Sequence, residues 1–286
     1  MNAQFWLIQA FNGISYGALL FLVGAGLSLI FGVMRIVNLA HGSYFLLGGY
    51  VALSVIWTTD SWVLAIPVAT LAIAVVGLLM ERVFLRQLGF DTLRQVLLTV
   101  GFAFLFQQAA LDIWGGNNLD INPPDALTQS IIVGGLYLPL YRIFMIVVAI
   151  VIGLVLWLAM EKTRMGAMVR ATVDDAQMAR GVGVDTNKIS MLIFSLGAGM
   201  AALGGVIGGA FLGVYPGLDF EMLPIAFAVV IIGGMGSLGG AAIGALLVGL
   251  ADNFGKALFP ELAYFTLYAP MVLILAIKPT GLFGRE

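Results

Sequence analysis

Apolar residues in this chain do not alternate with polar ones; they run on. A helix crossing a bilayer needs about 20 mostly apolar residues. Runs of that kind recur near 5–31, 38–57, 62–81, 96–114, 138–160, 189–211, 222–237, 240–257 and 262–279. Charged residues collect in the gaps between them, above all in 82–95 and 161–188. The pattern predicts an all-α polytopic membrane helix bundle of about eight or nine transmembrane segments, forming one transmembrane domain over 1–286. The count stays open because the glycine-broken stretches at 32–42 and 233–240 also read as breaks inside a membrane element. The start, Met1-Asn2-Ala3-Gln4, lacks a basic n-region, and its apolar run is too long for a cleaved leader. The first segment is therefore expected to be a retained span.

Those two stretches look alike. FGVMRIVNLAHGSYFLLGG at 31–49 and IIGGMGSLGGAAIGALLVG at 231–249 each join an apolar stretch to a second, Gly/Ala-rich one. The short break between carries glycine and a small hydroxyl residue, and each unit is followed by one more span. This is a weak internal pseudo-repeat, and broken helices in matching positions point to a binding site in transporters. The remaining glycines read mainly as packing devices. Pairs four apart (Gly13/Gly17, Gly204/Gly208, Gly205/Gly209, Gly209/Gly213, Gly240/Gly244) let helix backbones approach closely in lipid.

Composition sharpens the membrane reading. The chain of 286 residues is 61% hydrophobic and 10% charged, against about 25% charged in an ordinary soluble domain. No cysteine is present, which excludes disulfides and thiolate chemistry. A net charge of −2, with 13 scattered basic residues, gives no footprint for nucleic acid. Ten of those basic residues fall in three places: Arg82, Arg86 and Arg94; Lys162, Arg164, Arg170, Arg180 and Lys188; Lys278 and Arg285. Two spans separate the first two clusters and four separate the second from the end, so all three share one side. The positive-inside rule then makes 82–95 and 161–188 cytoplasmic and 115–137 an extracytoplasmic loop. The N-terminus lies outside and the C-terminus in the cytoplasm.

Candidate chemistry is sparse. In the first break Asn38, His41 and Ser43 either line a solute pathway or hold the fold, and Asn38 is placed to cap the second half-helix. His41 is the only histidine, so it cannot make a histidine metal cluster. Arg35 reads either as part of this group or as a surface residue at the inner end of the first span. In the second break Gly233, Gly234 and Ser237 are the counterparts. The 161–188 segment reads as a solvated connector or as a short cytoplasmic helix that docks into a partner. No metal set, hydrolytic triad or phosphate-binding loop occurs, so the chain is expected not to be an enzyme. Energy for uphill transport must come from a partner or an ion gradient. Spans nearly free of ionisable groups favour an ATPase-coupled device or a passive channel over an ion-coupled carrier.

The residues that carry chemistry also carry a resemblance. NGISYGALLFLVGAGLSLIFGVMRIVNLAHGSYFLLGGYVAL, GAMVRATVDDAQMARGVGVDTNKI, IAFAVVIIGGMGSLGGAAIGALLVGL and the tail KPTGLFG resemble LivH-type permeases, the membrane subunits of bacterial ABC importers for branched-chain amino acids. The likeness covers essentially the whole chain. It implies an inner-membrane permease that works by alternating access on branched-chain or other neutral amino acids. It implies partners: a second related permease subunit or a second copy of this chain, two cytoplasmic ATP-binding subunits that use ATP and Mg, and an extracytoplasmic solute-binding protein. This subunit would bind no cofactor of its own. The coupling helix is implied to lie within 161–188, with Gly166, Arg170, Ala171, Asp174, Asp175 and Gly181 at the ATPase contact. Permeases for urea and short amides share these motifs, and a passive solute channel is the rival from another class. Many family members have an acid after the His-Gly pair. Ser43 stands there instead, so a different charge is expected at that point.

Overall fold

The computed structural model describes residues 3–89 and 91–284. Met1, Asn2 and Arg285, used above for the leader and charge arguments, lie outside the described residues. The order is α1 (Ala3–Met34), α2 (His41–Thr59), α3 (Trp62–Val83), α4 (Thr92–Trp114), β1 (Ser130–Val133), β2 (Leu136–Pro139), α5 (Leu140–Lys162), α6 (Arg164–Asp174), α7 (Ala176–Gly181), α8 (Thr186–Leu212), α9 (Leu218–Gly233), α10 (Leu238–Leu258) and α11 (Ala263–Ile277). Among the described residues the departures from an all-α chain are an isolated bridge between Leu119 and Val214 and the antiparallel hairpin β1–β2 at the end of the 115–137 loop. It pairs Ser130 with Pro139 and Val133 with Leu136 across Gly134 and Gly135, both at positive φ.

Among the described residues six helices are long and apolar enough to cross a membrane: α1, α3 with the turn that follows it, α4, α5, α8 and α10. Eight or nine were expected. The difference lies in the runs near 38–57, 222–237 and 262–279, which become α2, α9 and α11 with 19, 16 and 15 residues. α2 is long enough but not apolar enough, opening with His41, Gly42 and Ser43; α9 stops at the break at 234–237, and a 3-10 turn at Pro260–Leu262 delays α11. Starts are marked by side-chain caps. Ser61, Asp91, Thr163, Asp185 and Ser237 each accept a hydrogen bond from the N–H three residues on.

Burial divides the helices into two shells. The most apolar stretch of α1 is 72% buried and that of α8 78%, whereas in α4 and α5 the share is 17%. α1 and α8 are therefore the axis of the bundle, and α3, α4 and α5 turn apolar faces outward. Along α3 those faces are Leu64, Val68, Leu71, Val75 and Leu79, spaced by three or four residues. Such a stripe has no partner in water and fits lipid.

Glycine sets how closely the inner helices approach. A Cβ at Gly17 would lie 2.8 Å from the Ala245 carbonyl oxygen, and one at Gly13 2.9 Å from Leu250 Cα, so α1 packs antiparallel on α10 at backbone contact. Gly26 against the Gly197 carbonyl does the same for α1 and α8, and Gly208 leaves room for the Phe45 and Leu19 side chains. These are the close approaches expected of the spaced pairs. α2 and α4 share another register. Leu39 N–H donates to Thr99 Oγ1 (3.2 Å), Ser43 Oγ reaches the Ala103 carbonyl (3.5 Å) and Trp114 Nε1 donates to Ser54 Oγ (2.7 Å). Each pair is 60 positions apart, so the two helices run parallel with α3 returning between them.

Overpacking the α1–α10 contact tests this geometry. Gly17→Val is expected to cost roughly 1–3 kcal/mol, read as a lower unfolding temperature in detergent. Gly101→Ala, where a Cβ would meet nothing within 4 Å, is expected to leave that temperature unchanged or raise it.

Candidate functional site

The chain leaves α1 through an unusual residue. Arg35 has φ +54 and its N–H returns to the Phe31 carbonyl at 2.8 Å, so a non-glycine residue in the left-handed region ends the helix. Residues 35–40 then do not continue outward. His41, the first residue of α2, is wholly buried, and its Nε2 lies 3.0 Å from the Val23 carbonyl. Val23 is eleven residues before Met34, about 16 Å back along a helix. The connecting segment therefore folds back beside α1, and α2 starts well inside the bundle.

Polar side chains hold that return. Asn38 Oδ1 accepts from the Ala40 N–H (3.1 Å), and Thr99 of α4 takes the Leu39 N–H. Asn38 thus makes the expected bond two residues on, but it is not the helix cap: Ala40 occupies that position, without a side-chain bond. A carbonyl only accepts, so His41 carries its proton on Nε2 when it bonds Val23. Ser43 Oγ donates to Asp219 Oδ2 at 3.1 Å. Asn38, His41 and Ser43 are at most 1% exposed.

The second break is built differently. α9 ends at Gly233, Gly234 and Gly236 take positive φ (97° and 83°), and Ser237 caps α10 by accepting from the Gly240 N–H at 3.0 Å. The last carbonyls of α9 are satisfied from a distance in sequence. Leu282 N–H donates to the Ile232 carbonyl and Phe283 N–H to the Gly233 carbonyl, both at 2.9 Å. Gly236 rests on Gly32 near the end of α1. The two groups expected to line one pathway are thus not brought together: Asn38, His41 and Ser43 sit beside Val23, Ala103 and Asp219, and Gly233, Gly234 and Ser237 beside Gly32 and the C-terminal tail.

The 161–188 segment folds as two short helices clasped to their neighbours. Thr163 caps α6 by accepting from the Gly166 N–H (3.1 Å), and Arg170 Nη1 bonds the Met160 carbonyl at the end of α5. Glu161 lies 3.8 Å from Arg170. No Cβ fits at Gly166, which abuts Met160. Ala171, Asp174, Asp175 and Gly181 are exposed, and Asp175 caps α7 through the Gln177 and Met178 N–H groups (2.8 and 2.9 Å). A cavity of about 760 Å³ joins this segment to the second break, with Arg35, Glu161, Arg170, Asp174, Ser237 and Thr280 on its walls. It holds polar groups from both sets of expected residues.

Comparison with known sequences gives these features a family. The model for "branched-chain amino acid transport system / permease component" matches residues 9–275. The chain belongs to this permease family. Similar relatives include the high-affinity branched-chain amino acid transport system permease protein LivH of Salmonella typhimurium, 30% identical with 100% of this chain and 98% of the relative covered. The corresponding protein BraD of Pseudomonas aeruginosa is 30% identical over 98% and 96%. The autoinducer 2 import system permease protein LsrC of Salmonella paratyphi B is 30% identical over 66% of this chain and 55% of its own length. No solved structure matches.

One functional candidate in the permease escaped sequence reasoning. Asp219 lies in the first turn of α9 and is 2% exposed, yet its run of sequence shows only an ordinary acid at a helix start. Its signal is its contact with Ser43, 176 positions away. Ser43 brings no charge of its own, and the acid beside it, Asp219, comes from another helix.

Two outcomes follow for the permease. His41→Ala removes a buried hydrogen bond and is expected to cost roughly 1–3 kcal/mol, measured by thermal unfolding in detergent. Asp185, which caps α8 through the Lys188 N–H (3.1 Å) and pairs with Lys188 Nζ (3.2 Å), has its carboxyl held below the usual 3.8 by those bonds. A depressed folded-state value means the cap is fully present above the ordinary carboxylate range and is lost as pH falls through the depressed value. Hydrogen exchange at Lys188 and Ile189 is expected to lose protection on acidification in the native protein, and to lack that pH dependence in Asp185→Asn.

Proposed function

We propose that this chain is the permease subunit of an ATP-driven importer, forming the pathway for branched-chain or other neutral amino acids by alternating access. The observation that carries the reading is the inward return of residues 35–40, which places Asn38, His41 and Ser43 between α1, α4 and α9 in an otherwise apolar bundle. Irregular backbone at membrane depth is tolerated where it faces protein or a watery path. Family membership supplies the transport role, and the names of LivH and BraD supply the solute class.

On this reading nine helices are embedded, the six long ones together with α2, α9 and α11. The N-terminus is outside and the C-terminus cytoplasmic, as the Lys and Arg clusters favour. Solute arrives from a binding protein at the 115–137 loop and at residues 212–222. It passes the Asn38–Ser43 level and leaves past Gly233, Gly234 and Ser237. The 161–188 segment docks on ATP-binding subunits. Exposed Met178 and Val182 give it apolar anchors, with Ala171, Asp174, Asp175 and Gly181 beside them. Because α6 and Ser237 wall the same cavity, movement of α6 reaches the start of α10 directly. The assembly comprises this chain with a related permease or a second copy, two ATPases using ATP and Mg, and the binding protein. The chain itself catalyses nothing and binds no cofactor.

Arg170→Glu and Asp174→Lys, each in the assembled transporter, are expected to lower ATP-dependent leucine uptake by about tenfold or more. Unchanged uptake and unchanged ATPase assembly in both would refute the docking role. A chain that purifies alone and conducts solute in liposomes without ATPases would instead make it a passive channel.

A further inference from the structure

Buried acids in this permease come with a base, with one exception. Glu81 pairs with Arg86 at 3.2 Å and Asp252 with Lys256 at 2.7 Å. Asp219 is equally hidden but has no Lys or Arg within ion-pair distance among the described residues. Its only side-chain support there is the Ser43 hydroxyl; the rest comes from backbone groups of its own helix start. A carboxylate buried in a lipid-embedded bundle without a counter-ion is costly, and such residues mark binding sites and ion paths.

Its surroundings are specific. Ser43 lies in the first turn of α2, directly after the inward return, so the acid stands next to the break in the backbone. The Tyr50 hydroxyl, two helical turns beyond Ser43 along α2, is buried without a hydrogen-bond partner and lies within electrostatic reach of Asp219. The Tyr50 ring stacks on Trp114 at 4.9 Å and 17°, making a flat apolar wall. Gly42 sits directly against the Asp219 carbonyl, where no Cβ would fit, so α2 and α9 are closed on each other at this level. Parting them exposes one acid, two hydroxyls and an aromatic surface.

We propose that the Asp219 carboxylate, positioned by Ser43, receives the ammonium group of a zwitterionic solute as it passes between α2 and α9. This rests on the neutral amino acid reading above. An ammonium supplies three N–H donors and the missing positive charge, whereas a solute carboxylate would be repelled. An apolar side chain then lies against the Tyr50–Trp114 stack. Asp219 is thus a specificity-determining residue: it favours solutes that carry an amine over their deaminated analogues.

The test uses the complete transporter in proteoliposomes with saturating binding protein, reading [¹⁴C]leucine uptake and recovery of the assembled complex. Asp219→Asn keeps the shape and the Ser43 contact but removes the charge. It is expected to assemble normally and lose leucine uptake by at least about thirtyfold. Exchanging the two side chains, Ser43→Asp with Asp219→Ser, returns a carboxylate to the same point from the facing helix. It is expected to recover uptake to within about threefold of wild type, while Asp219→Ser alone stays inactive. Leucine uptake by Asp219→Asn near the wild-type rate overturns the proposal. So does an exchange variant that assembles without transporting, or a failure of every Asp219 variant and the exchange to assemble, which would make the acid structural. A wild-type transporter that carries urea but not leucine would refute the solute reading itself, an outcome distinct from those three.

Discussion

Away from water, every backbone N–H and C=O needs a partner inside the protein, and the interior of this permease follows from that demand. Unbroken helices meet it by themselves. The two places where helix stops meet it with outside help, and each kind of help fixes neighbouring elements. At 35–40 the help is Thr99 for Leu39 and Asn38 for Ala40, which ties the return segment to α4. At 234–237 it is Ser237 for Gly240, with Leu282 and Phe283 for the last carbonyls of α9. Helix breaks here are therefore joints between elements.

The same demand separates two jobs that look alike in the sequence. Both breaks carry glycine and a hydroxyl, but the first is held by polar side chains and the second by positive-φ glycines and a tail. Gly234 and Gly236 take positive φ, which glycine adopts without a steric penalty, whereas at the first break Arg35 does so as a non-glycine residue. The first break consequently leaves polar groups, Ser43 above all, facing another helix. The second leaves backbone packed on backbone, next to the cavity that α6 shares.

Much of this was legible in the residues. Each apolar run became a helix, the spaced glycines became close contacts with backbone or with neighbouring side chains, and Asn38, His41 and Ser43 proved to be buried together. The family likeness was carried by motifs that coincide with the breaks. What sequence could not show were relations of depth and distance. Length alone made 38–57 a span, while the return of the chain to Val23 starts α2 inside the bundle. The likeness of 31–49 to 231–249 gave no hint that the two breaks meet α1 at different levels, Gly236 at Gly32 and His41 at Val23. Asp219 was invisible because its meaning lies in Ser43, on another helix, and no local pattern records that contact.

The tail that completes α9 also bears on how the protein is made. Chains emerge from the ribosome in order, and early elements fold first. The Gly233 carbonyl nevertheless waits for Phe283, fifty positions downstream. Until those residues arrive, the end of α9 has open carbonyls at the point where α1 and α10 must close around it. The second break is thus a late step in biogenesis. A chain ending before those residues would carry a nearly complete set of helices with the Ile232 and Gly233 carbonyls left without these partners.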